Sequence, residues 1–143
     1  MTLLLTHSAC LDHLTPPGHP ERPDRMRAVA EVLGEDRFKP LVRGEAPEGS
    51  LDSVTLCHGE HYVGELRHIA PSSGLVYIDG DTSMSPGTWE AVMRGVGGAV
   101  AATDAVMMTT PRSPSLISLR AIDSAERRKM LKLPIRLVWM TPE

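Results

Sequence analysis

Short apolar runs alternate along this chain with longer stretches in which apolar residues recur at helical spacing, and that alternation restricts the fold to layered α/β types. Leu3-Leu4-Leu5, closed by Thr6-His7, reads as a strand covered on both faces. A loop over residues 8–20 follows, kept out of regular structure by Pro16-Pro17-Gly18 and Pro20. Residues 21–33 set Met26, Val29, Ala30, Val32 and Leu33 at helical spacing, with Pro23 near the first turn and Gly34 as the stop. After a polar connection at 44–50, residues 51–70 read as one helix with Tyr62, Val63, Leu66 and Ile69 on one face. Leu75-Val76-Tyr77-Ile78 is a second short strand, closed by Asp79-Gly80-Asp81. A long helix then starts at Ser85 as N-cap and Pro86 as first residue, and carries Trp89, Val92, Val96, Val100, Thr103 and Val106 down to about Met108. Strand, helix, helix, strand, helix in this order implies an α/β fold with a mostly parallel sheet.

Size and composition narrow the classes further. At 143 residues the chain has room for one domain, and 41% hydrophobic with 23% charged residues is a globular composition. Only 3% are aromatic, so the core is expected to consist of Leu, Val, Met and Ala and to be modestly stable. Residues 1–110 carry 8 basic against 15 acidic residues, a balance of −7, whereas residues 111–143 carry 7 against 3, a balance of +4. Every histidine precedes residue 69. No apolar run is long enough to span a bilayer and no leader pattern opens the chain, which reads as cytoplasmic. Two cysteines, Cys10 and Cys57, form no disulfide framework, and a tail balance of +4 with little aromatic support does not make a specific nucleic-acid binder.

The chemistry-bearing residues leave alternatives open. His7-x-x-Cys10-x-x-His13 and Cys57-His58-x-x-His61 offer three metal-ligand types each, at spacings that are not standard for zinc. A serine hydrolase lacks its strand-turn-helix elbow. Gly95-Val96-Gly97-Gly98 lies inside a helical pattern, where each glycine costs about 1 kcal/mol against alanine; close packing against another element explains it better than phosphate binding does. Asp79 and Asp81 follow a strand, a position that suits ligand contacts and, more simply, a turn.

Four ordered motifs carry a resemblance. Cys10-Leu11-Asp12-His13 and Gly18-His19-Pro20-Glu21-Arg22-Pro23-Asp24-Arg25-Met26-Arg27-Ala28-Val29 resemble the N-terminal signature of the histone deacetylase superfamily, especially bacterial members related to acetoin-utilisation proteins and acetylpolyamine amidohydrolases. Cys57-His58-Gly59-Glu60-His61-Tyr62-Val63 resembles the family's His-Ser-x-x-Tyr-Val helix start. The segment from Asp79-Gly80-Asp81-Thr82 through Ser85-Pro86-Gly87-Thr88-Trp89-Glu90-Ala91 resembles its Asp-x-Asp-Thr-x-x-Ser-Pro-Gly-Ser-Trp-Glu-Ala segment, and Gly97-Gly98-Ala99-Val100 continues it.

The resemblance implies the arginase/deacetylase type of three-layer α/β fold, here incomplete, and zinc-dependent hydrolysis of acetyl-amide bonds in an acetylated small molecule or lysine. It makes Arg25 an arginine of the internal product channel, places Asp81 in the segment of the acidic substrate rim, and has His19 and Pro20 line the entrance loop. The family's tandem His pair in Pro-Gly-His-His, its Asp-x-His and its later Asp are absent, so no catalytic and no metal-ligating residue carries over and no cofactor is expected in this chain. Residues 1–108 therefore read as the N-terminal part of a deacetylase-like domain, and 109–143 as a divergent tail of the kind a shifted reading frame produces. A partial sheet exposes an edge and an apolar face, so self-association through that edge is expected. Two alternatives stand beside an inactive deacetylase relative: a non-catalytic binding or regulatory module, and a small metal-binding protein using His7, Cys10, His13, Cys57, His58 and His61.

Overall fold

Backbone pairing at the N-terminus joins two strands that lie far apart in sequence. In the computed structural model, which describes residues 2–109, β1 (Leu3–Thr6) runs parallel to β2 (Val42–Glu45), with Leu3 opposite Val42 and Thr6 opposite Glu45. Parallel strands need a long crossover. It is supplied by a 3₁₀ turn at Ser8–Leu11, the proline-rich loop, helix α1 (Pro23–Leu33) and a second 3₁₀ turn at Asp36–Phe38. Beyond β2 come α2 (Leu51–Thr55), α3 (Glu60–Ile69), β3 (Val76–Tyr77), β4 (Ser83–Met84) and α4 (Thr88–Thr109). The α/β class and a short parallel sheet are thus present.

Local chemistry explains most boundaries. Pro23 opens α1, and Gly34 ends it with its N–H donating to carbonyls of the last turn, at an ordinary φ of −76°. The Ser50 hydroxyl accepts from Ser53 N–H at 3.1 Å and caps α2. At α4, Ser85 takes a different place from the expected N-cap: the helix begins at Thr88, and Ser85 forms the first residue of a turn closed by Thr88 N–H donating to its carbonyl.

Four expectations need correction. The strand β2 is not among the sequence expectations, and its last residues, Gly44 and Glu45, fall in the polar connection expected at 44–50; Val42-Arg43-Gly44-Glu45 has one apolar residue, and what orders it is the ladder with β1, including Val42 N–H to Thr2 O and Ala46 N–H to Thr6 O. The helix expected over 51–70 is two helices, broken at residues 56–59, with Gly59 in extended geometry before α3. The second strand does not join a parallel sheet: β3 pairs antiparallel with β4, Val76 opposite Met84. Finally, β1 is not covered on both faces: none of its four residues is buried, and Leu3 stays 40% exposed.

The buried centre is small and free of aromatic rings. Ala9, Ala46, Val63, Met84 and Met93 are its apolar members, and Ser83, Ser85 and Thr88 are buried with them. It lies where α4 packs on the Ser8–Leu11 turn and on β1. The glycines of α4 admit the loop after β2: a Cβ on Gly97 would overlap the Pro47 carbonyl, and one on Gly98 would lie 3.2 Å from the Ala46 side chain. Gly49 N–H donates to the Met93 carbonyl at 2.8 Å and fixes that approach. Gly95 faces open space, so close packing accounts for Gly97 and Gly98 alone. The apolar pieces of the tail, residues 116–119 and 137–140, lie outside the described residues, as does the question of a shifted frame.

Candidate functional site

The loop after β1 docks onto the segment that leads into α4, and a buried hydroxyl pair makes the joint. Ser85, 1% exposed, accepts from Leu14 N–H at 2.8 Å and donates to the Asp12 carbonyl at 3.0 Å. Thr88 accepts from Ser85 N–H at 2.8 Å, and its hydroxyl meets His13 Nδ1 at 2.7 Å. Thr88 Oγ1 also lies 3.2 Å from Ser85 Oγ, so the two hydroxyls and the His13 ring form one connected set of hydrogen bonds. Gly87 closes against Asp12 so tightly that any Cβ there would overlap the Asp12 carbonyl. Buried polar groups paired in this way fix one arrangement of the two segments, because separating them would leave donors and acceptors without partners.

A second joint lies nearer the surface. His19 Nε2 is 3.1 Å from the Asp81 carbonyl and 3.3 Å from Asp81 Oδ1, while Nδ1 accepts from Glu21 N–H at 3.1 Å. The His19 side chain is 16% exposed and that of Asp81 is 93% exposed. Burial disfavours the charged imidazole, but the Asp81 and Glu21 carbonyls and the Asp81 carboxylate outweigh it and raise the His19 pKa above 6.5. Asp79 has the turn role: its Oδ1 accepts from Asp81 N–H at 2.8 Å and its Oδ2 from the Thr82 hydroxyl at 3.0 Å. Those two donors hold its carboxyl below the usual carboxylate range.

The structure brings His19 and Asp81 together, with Pro20 beside them in the chain. Arg25 lies apart on the exposed surface of α1, and among the described residues its guanidinium has no ion-pair or hydrogen-bond partner. His13, Ser85 and Thr88 complete the joint without having been singled out for it; their separation of more than 70 residues left no local signal.

The metal-binding reading built on six His and Cys side chains is overturned among the described residues, where no three His, Cys, Asp or Glu side chains gather to hold a metal ion. The reason is local engagement. His7 Nδ1 accepts from Ala9 N–H and caps a 3₁₀ turn, His13 is committed to Thr88, and His61 pairs with Glu65 on the exposed face of α3. Cys57 lies exposed in the break between α2 and α3. None of the helices among the described residues is long and apolar enough to cross a membrane.

Comparison with known proteins places these segments in context. A family model described as the histone deacetylase domain matches residues 19–119, beginning at His19 and running past the last of the four motifs. A protein named probable deacetylase from Archaeoglobus fulgidus is 31% identical over 110 residues, covering 75% of this chain and 30% of the relative. An uncharacterized protein of Synechocystis is 30% identical over 94 residues, covering 63% of this chain and 31% of the relative. A type-2 histone deacetylase from Dictyostelium discoideum is 29% identical over 72 residues, covering 49% of this chain and 4% of the relative. The matched region spans less than a third of each of these relatives.

Proposed function

The chain belongs to the histone deacetylase family, and from that premise we propose that it provides the substrate-entrance part of a deacetylase-like domain without a metal centre of its own. The observation that carries this reading is the docking of the loop from Asp12 to Arg22 onto the segment from Asp79 to Thr88, through His13–Thr88, Leu14–Ser85 and His19–Asp81. Two stretches that resemble family motifs are thereby held against each other by two part-buried hydrogen bonds and one at the surface. In this reading His19 and Pro20 line the entrance, Asp81 presents an open carboxylate at its rim, and Arg25, exposed on α1, is a cation available to attract a carboxylate product. The substrates are acetylated small molecules or acetyl-lysine, and the parent architecture is the three-layer arginase/deacetylase fold.

Zinc would polarise an acyl carbonyl in such a domain, but the described residues do not fit it. His7 caps a 3₁₀ turn, His13 belongs to the hydroxyl joint, His61 lies on an exposed helix face, and no three possible ligands gather among the described residues. No step of the chemistry is therefore assigned to this chain. The purified 143-residue protein, assayed for acetate release from an acetyl-lysine peptide and from an acetylated polyamine with zinc supplied, is expected to show no turnover above the metal-only control. Zinc-dependent turnover that is lost on chelation would overturn the reading.

A further inference from the structure

Two independently built turns present His19 and Asp81 to each other. On one side His19 N–H donates to the Pro16 carbonyl at 3.0 Å, and Gly18 takes a φ of +83°, which matches a type II turn with proline and glycine at its centre. On the other, Asp79 holds Asp81 N–H and the Thr82 hydroxyl, and Ile78 N–H donates to the Thr82 carbonyl at 2.8 Å. Each turn is closed by its own hydrogen bonds, so the imidazole does not build either one; it bridges them across 62 positions of sequence.

We propose that the His19–Asp81 contact is a proton-operated latch between these two loops, tighter when the imidazole is charged. In the neutral ring Nε2–H donates to Asp81, and Nδ1 accepts from Glu21 N–H. A proton added at Nδ1 ends that acceptance and turns the nitrogen into a donor, with the Glu21 carbonyl at 3.4 Å as the oxygen within reach. The same proton gives the ring a full positive charge opposite the Asp81 carboxylate, so the bond between the loops becomes charge-assisted. Facing the ring are Asp81 from the turn after β3 and Glu21, through its backbone, from the ring's own loop, and Asp81 supplies the charge that acts on it. The direction of the His19 shift agrees with this geometry.

A group whose folded pKa is raised contributes stability that is fully present below its unfolded value and is lost as pH rises through the folded one. The latch is therefore closed below the ordinary imidazole value and loosens as pH rises through the higher folded one. What it regulates, the conformation of the substrate entrance, rests on the deacetylase reading; the contact itself does not.

The test follows the His19 ring and the backbone amides of residues 16–21 and 79–82 by NMR in the full chain between about pH 5.5 and 8.5. The expected result is a His19 midpoint above the ordinary imidazole value of about 6.5, with amides of both loops moving on that same midpoint. Asp81→Asn is expected to lower the midpoint, and His19→Gln, which keeps a side-chain donor without a titrating ring, to abolish the pH response of residues 79–82. A midpoint unaffected by Asp81→Asn, or loop amides that still titrate in His19→Gln, would overturn the latch. Since the readout is the ring and the loops, a failed acetate-release assay and a failed latch remain separate results.

Discussion

Asp79 and Asp81 share a residue type and a turn, yet the structure gives them opposite exposures to chemistry. Both Asp79 oxygens are engaged within the turn, while Asp81 offers its carboxylate to His19 and to solvent. Sequence put both after a strand and had no means to say which oxygen would face inward, because that depends on the backbone path through Gly80. The lowered Asp79 pKa has a consequence for stability. The Asp81 N–H and the Thr82 hydroxyl favour the carboxylate over the acid, against the opposing effect of desolvation. Its contribution is present above the ordinary carboxylate value and lost as pH falls through the lower folded value. The thermal midpoint of the wild type is thus expected to exceed that of Asp79→Ala at pH 7, with the gap closing as the pH drops below about 4; an unchanged gap down to pH 3 would refute it. Gly18 supplies a second residue-scale test. Its φ of +83° is strained for any L side chain although the space beside it is open, so Gly18→Ala is expected to cost about 1–2 kcal/mol in denaturant unfolding. An unchanged denaturation midpoint would show that the turn relaxes at no cost.

At the scale of elements, legibility followed the origin of the order. The helix stripes were readable because Met26, Val29 and Val32 in α1, and Tyr62, Val63, Leu66 and Ile69 in α3, repeat locally. The break before α3 was hidden because that apolar set lies entirely after Gly59, so nothing in 51–58 contradicted a longer helix. The strand β2 was invisible because its order comes from β1, about 40 positions earlier in the chain. The His13–Thr88 and Ser85–Leu14 joints belong to the same class: polar residues whose partners are chosen by the fold. The glycines of α4 allow the distinction between local cost and tertiary need to be measured. Gly95 faces open space, so Gly95→Ala is expected to stabilise the chain by up to about 1 kcal/mol through helix propensity. Gly97→Ala drives a methyl into the Pro47 carbonyl and is expected to destabilise it by about 1–3 kcal/mol despite the same propensity gain. Parallel thermal melts of the two variants check the pair; shifts of the same sign would mean that the loop of residues 46–49 is not held against the helix.

For the molecule as a whole, family membership was legible in four short motifs, while the covering of the apolar faces depends on what packs against them. No residue of α1 is buried, and Met26, Val29 and Val32 are 45%, 51% and 42% exposed, with Leu3 and Val42 of the sheet in the same condition. A helix whose apolar stripe repeats this regularly is patterned for burial, and the parallel sheet, two-stranded among the described residues, leaves backbone groups open along its edges there. Water contact with that much aliphatic surface is unfavourable at about 25 cal/mol per Å², which drives association of copies until the surface is covered. The 143-residue chain is accordingly expected to self-associate, its weight-average mass rising with concentration in light scattering coupled to size exclusion. Val29→Lys places a charge at the centre of the α1 stripe and is expected to shift the protein toward monomer without unfolding it, since Val29 is 51% exposed. A wild-type monomer at all concentrations, with one sharp cooperative unfolding transition, would show instead that the chain covers these faces by itself.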